Sequence, residues 1–142
     1  MKKLYRALFI TLALPGVSMA AEGINSLDEL NWKNRVILVQ EPAKGEQIVK
    51  TLTDEKLGIA ERDVIWFVAS NGKVSSNLTD SVPDKLSKQV TGSFTNRSRQ
   101  TILIGKDGGV KSRTDEFDLH QLYKQIDAMP MRKREIEQER RH

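Results

Sequence analysis

The 142-residue chain contains no cysteine. It therefore has no thiolate nucleophile, no disulfide exchange of its own and no cysteine-based peroxide reduction. Histidine is scarce too: His120 and His142 are the whole supply, and two residues so far apart do not make a transition-metal cluster. No Gly-x-Ser-x-Gly motif occurs, which leaves a serine hydrolase without its nucleophile turn. Long hydrophobic runs are absent as well. The longest apolar stretch, Ala7 to Val17, is well short of the ~20 residues that span a bilayer.

That short stretch has another use. Lys2, Lys3 and Arg6 precede it and Ser18-Met19-Ala20 follows it, giving the basic, apolar and small-x-small regions of a Sec-type signal peptide over residues 1–20. Cleavage is expected after Ala20, with a periplasmic destination and no stable membrane insertion afterwards. Processing removes three basic residues, so the net charge falls from +4 to +1. A nearly neutral chain with no long basic stripe gives little reason to expect a nucleic-acid partner. About 120 residues remain, one domain of ordinary size.

In the mature chain, Ser26-Leu27-Asp28-Glu29 has the form of a helix start. Val36-Ile37-Leu38-Val39 is a continuous apolar run, three of its four residues β-branched, expected as a central strand with both faces covered. Ile48, Val49, Leu52, Leu57 and Ile59 follow at helical spacing, with Gly58 near that helix's end. Val64-Ile65-Trp66-Phe67-Val68 is a second buried strand closed by a turn at Ser70-Asn71-Gly72. Residues 73–100 are polar; Pro83 to Val90 is read as a short helix and Thr91 to Gln100 as a loop. Thr101-Ile102-Leu103-Ile104, a turn at Lys106-Asp107-Gly108-Gly109, and Val110 to Thr114 make a hairpin whose polar second strand suits an edge. Asp118 to Met129 is an amphipathic helix capped by Asp118. Met131 to His142 is read as a charged, solvated tail with helical tendency, so the domain is placed at residues 21–130 and the tail at 131–142.

This order, strand, helix, strand, helix, strand, strand, helix, is the minimal thioredoxin-like arrangement: an α/β fold with a four-stranded mixed sheet, a parallel pair plus an antiparallel hairpin, covered by helices on both faces. Four segments go further. Asn31-Trp32-Lys33-Asn34-Arg35-Val36-Ile37-Leu38-Val39, Ala60-Glu61-Arg62-Asp63, Leu103-Ile104-Gly105-Lys106-Asp107-Gly108-Gly109-Val110-Lys111 and Ile126-Asp127-Ala128-Met129-Pro130-Met131-Arg132 together resemble domain-of-unknown-function family 4174, over residues 27–134. The resemblance implies an exported bacterial protein, with a similar domain in some animal extracellular sushi-repeat proteins, on a thioredoxin-like branch for which a peroxiredoxin-like role has been suggested. The residues depart from that role. Where thioredoxins carry their cysteine pair this chain has Gln40-Glu41-Pro42-Ala43-Lys44-Gly45-Glu46, and where they carry a cis-proline it has Arg99-Gln100-Thr101.

Among the remaining polar motifs, Gly105-Lys106-Asp107-Gly108-Gly109 precedes a strand rather than a helix, so it is a hairpin turn and not a phosphate loop. No cofactor and no metal are expected. Trp32 and Trp66 are read as core or core-edge residues, and His120 as a surface side chain. Arg97, Arg99 and Arg113 stand near the end of the sheet where the fold's active edge lies, and guanidinium groups gathered there would hold a carboxylate or phosphate. Two functions are compatible with these residues. The first is a redox-inactive binding or adaptor module that contacts an envelope protein through Glu41, Pro42, Lys44, Arg97 and Arg99. The second is a small-anion sensor or peroxiredoxin-related enzyme lacking its own cysteines, in which Arg97, Arg99 and Arg113 form an anion clamp with Glu41 or Asp63 as polar partner.

Overall fold

The run Val36-Ile37-Leu38-Val39 is the centre of the sheet. In the computed structural model, which describes residues 23–142 except Arg97, strand β1 (Arg35–Gln40) pairs in parallel with β2 (Val64–Ser70) and antiparallel with β4 (Gln100–Ile104). Both its faces are covered, so every position from Val36 to Val39 is buried and an unbroken apolar run is what the site requires. Strand β5 (Val110–Thr114) follows β4 through the expected hairpin and forms one edge. The expected signal peptide and Arg97 lie outside the described residues.

The sheet has five strands, not the four expected. Strand β3 (Lys73–Ser76) turns back antiparallel on β2, giving the order β3-β2-β1-β4-β5. Asn71 and Gly72 have φ of 51° and 77°, the left-handed pair that makes a tight two-residue hairpin turn. Lys-Val-Ser-Ser itself has little apolar content, so its strand character is set by the turn before it. Beyond β3 the ladder continues through a side chain. Asn77 Oδ1 accepts from the Trp66 N–H at 2.9 Å and its Nδ2 donates to the Val64 carbonyl at 3.1 Å.

Helices cover both faces. Ile37, Val39, Trp66, Val68 and Leu103 pack against α1 (Gly45–Asp54), α2 (Lys56–Glu61) and α4 (Leu119–Asp127) through Ile48, Leu52, Ile59, Leu122 and Ile126. Val36, Leu38, Phe67 and Ile102 pack against Leu27 and Leu30 of a 3-10 turn and Leu86 and Val90 of α3 (Asp84–Gly92). Each fully buried large side chain contributes roughly 1.5–3 kcal/mol. The expected helix after β1 is split in two at Glu55, and Gly58 lies inside α2. The 3-10 turn begins with a capping box: the Ser26 hydroxyl accepts from the Asp28 N–H, and the Glu29 carboxylate accepts from the N–H groups of Asn25 and Ser26. These backbone hydrogen bonds hold the Glu29 carboxyl below its ordinary value. Asp118 caps α4 as expected, accepting from the Gln121 N–H at 3.1 Å.

Two expectations need correcting. Trp66 is buried, but Trp32 is 69% exposed; its φ of 67° and the bond from its N–H to the Lys106 carbonyl fix a turn that sends the indole away from both cores. The segment Met131 to His142, read as a solvated tail with helical tendency, is mostly exposed and helical but is docked on the domain. Most of it belongs to α5 (Pro130–Arg140), which lacks an apolar stripe and buries Arg132 instead.

Candidate functional site

Strands β1 and β2 end, and β4 begins, at one pole of the sheet. The Glu41–Lys44 turn there is held by its own polar groups: Glu41 Oε1 accepts from the Ala43 N–H at 3.2 Å and the Ser70 hydroxyl donates to the Pro42 carbonyl at 3.4 Å. Beside it lies a cleft of about 240 Å³ in which Glu41 and Lys44 meet Arg99 and Glu116, with Ile48 and Phe117 as apolar neighbours. Arg99 and Glu116 form an exposed pair at 3.5 Å, worth at most about 1 kcal/mol. Lys44 is exposed and has no ion pair among the described residues. Among the described residues, two cations face two carboxylates in this cleft.

The structure gathers only part of the predicted set. Glu41, Lys44 and Arg99 share the cleft. Pro42 lines a separate hollow of about 190 Å³ with Gln40, Ala69 and Thr91. Arg113 lies on the opposite face of the sheet from Arg99, because it stands directly across from Ile102, a residue of the α3 core; its Nη1 donates to the Ser93 carbonyl at 3.0 Å. Arg97 lies outside the described residues. Asp63 immediately precedes β2 at the far pole, where it is bound to Lys106, so it cannot partner Arg99 in a clamp. The Gly105–Gly109 segment is the β4–β5 turn: the Gly109 N–H is taken by Asp107 Oδ1 and the Gly105 N–H by the Gly109 carbonyl, leaving no converging amides for a phosphate.

At the far pole the sequence reading missed a network of four cations and four carboxylates. Arg35, 1% exposed, places Nη1 and Nη2 at 3.1 and 3.2 Å from the two oxygens of Glu135, the forked geometry that makes such pairs strong. Lys106 Nζ reaches Glu135 at 2.6 Å and Asp63 at 2.9 Å. Arg132, 2% exposed, bonds both the carbonyl and the carboxylate of Glu61 and lies 3.4 Å from Asp127. Asp127 in turn receives a fork from Arg62, whose guanidinium lies 3.8 Å from the centre of the Tyr123 ring.

Burial alone would raise the Glu135 carboxyl, but hydrogen bonds from Arg35 and Lys106 outweigh it and hold it below its ordinary value. Asp127 is likewise lowered, burial being overcome by Arg62 and Arg132. Lys106 is raised: burial disfavours its charge, and Glu135 and Asp63 more than restore it. Burial pushes the Tyr123 hydroxyl up to about 12, helped by the Glu55 carboxylate and opposed by Arg62. The signal for this pole was present in the sequence in one form only: Arg35, Glu61, Arg62, Asp63, Lys106, Asp127 and Arg132 all fall in the four segments that carry the family resemblance.

A profile of a domain of unknown function, DUF4174, matches residues 26–135. No curated protein matches the sequence. Among solved structures, thioredoxin peroxidase I of Plasmodium yoelii superposes with a TM-score of 0.54 at 19% identity, covering 76% of this chain and 79% of that one. The reduced 2-Cys peroxiredoxin of Plasmodium vivax gives 0.53 at 16% identity, covering 76% and 72%. These likenesses show a thioredoxin-like fold.

Proposed function

The chain belongs to the DUF4174 family, and from that premise we propose that it is an exported, redox-inactive thioredoxin-like domain serving as a periplasmic binding or adaptor module, its contact surface the Glu41–Lys44 turn with Arg99. The observation that carries this reading is a fold similar to proteins named thioredoxin peroxidase and 2-Cys peroxiredoxin in a chain with no cysteine. The scaffold is kept without its sulfur chemistry, and among the described residues the pole has a braced turn, an exposed lysine without an ion pair, and two cations against two carboxylates. Alternating charges on a rigid turn suit a polar protein surface, where complementarity sets specificity. They suit a small anion poorly, because Glu41 and Glu116 oppose it.

The test is photo-crosslinking in the cell envelope from a reactive residue at Lys44, with Gln121 of α4 as control. The expected result is one discrete adduct from Lys44 only, lost when Lys44→Glu is combined with Arg99→Glu in a protein crosslinked from Gln47. Identical adducts from Lys44 and Gln121, or none from Lys44, overturn the placement. Export is tested separately by intact mass, which should correspond to a chain beginning at Ala21.

A further inference from the structure

The two sheet edges differ in a way that the proposed contact pole does not use. On β5, Lys111 is an extra residue opposite the Leu103–Ile104 step; this bulge, with Arg113 two residues on, spoils the edge for pairing. On β3 the ladder is regular. Because Ser70 and Lys73 close the two-residue hairpin, they and the Val68–Ser75 pair exchange backbone hydrogen bonds, and the N–H and C=O groups of Val74 and Ser76 point away from β2. Past Ser76 the Asn77 side chain already satisfies Trp66 and Val64. The open backbone groups of this edge are therefore confined to β3.

A groove of about 850 Å³ runs beside β3, between it and α1 and α2, with Val49, Leu52, Ile59 and Trp66 beneath it and Lys56 and Lys73 on its rim. It continues into a second hollow of about 410 Å³ that shares Val49, Lys73 and Ser75. Lys56 and Lys73 are both exposed and have no ion pair among the described residues.

We propose that this edge and groove bind an extended segment of another polypeptide by strand addition, the segment pairing with Val74 and Ser76 and presenting an apolar side chain and a carboxylate two positions apart, on one face. Main-chain bonds to β3 supply registry, an apolar side chain enters the groove, and an acid two positions away, on the same face of the strand, lies between Lys56 and Lys73. At about 3.3 Å per residue, the four residues of β3 engage three or four residues of ligand. A second copy of this chain fits less well. Antiparallel pairing of two β3 strands would turn Lys73 and Ser75 of each toward the other's groove, setting cation against cation and offering no apolar side chain.

The probe is a phage-displayed library of linear dodecapeptides selected on the purified exported protein, the best sequence then synthesised with a fluorophore and measured by polarisation, with amide exchange read by mass spectrometry. Enriched sequences should carry an apolar and an acidic residue two positions apart and protect the β3 segment. Ser76→Pro, which removes one outward N–H, and Ser75→Glu, which leaves the backbone intact but sets a carboxylate against the ligand's acid, should each weaken binding about tenfold or more. If Ser76→Pro fails to fold by circular dichroism, Ser75→Glu decides alone. Lys44→Glu and Arg99→Glu should leave this binding unchanged, which separates it from the proposed contact at the other pole. Absence of enrichment, protection elsewhere, full binding by Ser75→Glu, or a dimer in light scattering with β3 protected without peptide would each overturn the proposal.

Discussion

Glu135 is the side chain on which the far pole depends, since among the described residues it alone pairs with both Arg35 and Lys106. Removing one partner from a buried pair leaves the other charged and desolvated, so Glu135→Ala should cost about 3 kcal/mol in urea unfolding. Lys50→Ala is the counter-example. Its pair with Asp54 has both side chains more than half exposed, and the loss should stay within about 0.5 kcal/mol. The double variant Arg35→Met with Glu135→Leu removes the stranded charge along with its partner, and should be more stable than Glu135→Ala alone. Equal losses for Glu135→Ala and Lys50→Ala would mean that the pole is solvated and the network inert.

Helix α5 owes its place to charge more than to apolar contact. Its anchors are Arg132 on Glu61 and Asp127, and Glu135 on Arg35 and Lys106. Asp127 and Glu135 have carboxyls lowered from ordinary values of 3.8 and 4.5. Their stabilisation is therefore complete above those values and is lost as pH falls through the lower, folded ones. Amide exchange in α5 should accelerate below about pH 4 before the central strands open, and Glu135→Gln should flatten that dependence. At the alkaline end Lys106, raised above 10.5, loses its contribution as pH rises through its folded value. Tyr123 adds a loss between 10 and about 12, the phenol ionising more readily once unfolded; absorbance at 295 nm should place its titration in the folded protein near the upper value.

Turns give a second test at this scale. Gly72 and Gly108 both have positive φ, 77° and 82°. A Cβ at Gly72 would meet nothing within 4 Å, whereas one at Gly108 would come 2.8 Å from Asn31 Oδ1. Gly72→Ala should lose about 1 kcal/mol for the left-handed backbone, and Gly108→Ala should lose more. Adding Asn31→Ala should bring the Gly108 variant back toward the Gly72 figure. No relief on adding it would assign the whole effect to the backbone.

Across the whole molecule, what was legible in the sequence was what repeats locally. Unbroken apolar runs revealed β1, β2 and β4, and helical spacing with the Asp118 cap revealed α4, because those signals arise within a few residues of one another. Strand β3 was hidden because Lys-Val-Ser-Ser has little apolar periodicity and is placed by the turn at Asn71-Gly72. Helix α5 was taken for tail because its partners are remote: Arg35 and Glu135 are 100 residues apart, and no window of sequence shows that a run of charge has a buried counterpart. The placement of Arg99 and Arg113 on opposite faces was hidden for a similar reason. Whether Arg99 and Arg113 share a face depends on the register of β4 with β5 and on the bulge at Lys111, and both are properties of the pair of strands.

The resulting molecule divides its work between two ends of one sheet. The charged network at the start of β1 and β2 fixes α5 and sets stability; the cleft at their far ends carries the exposed charges of the proposed contact surface. Strands of six and seven residues separate them, a span of roughly 20 Å, and sites that far apart with no shared partner are additive within about 0.5 kcal/mol. Lys44→Glu with Arg99→Glu should therefore leave the urea midpoint unchanged while abolishing crosslinking at the cleft. Glu135→Ala should do the reverse, lowering the midpoint but preserving the crosslink at temperatures where the protein stays folded. Combining all three substitutions should reproduce both effects without enhancing either. A loss of crosslinking in folded Glu135→Ala would show that the network at one pole shapes the turn at the other, and that the sheet between them transmits a change of state.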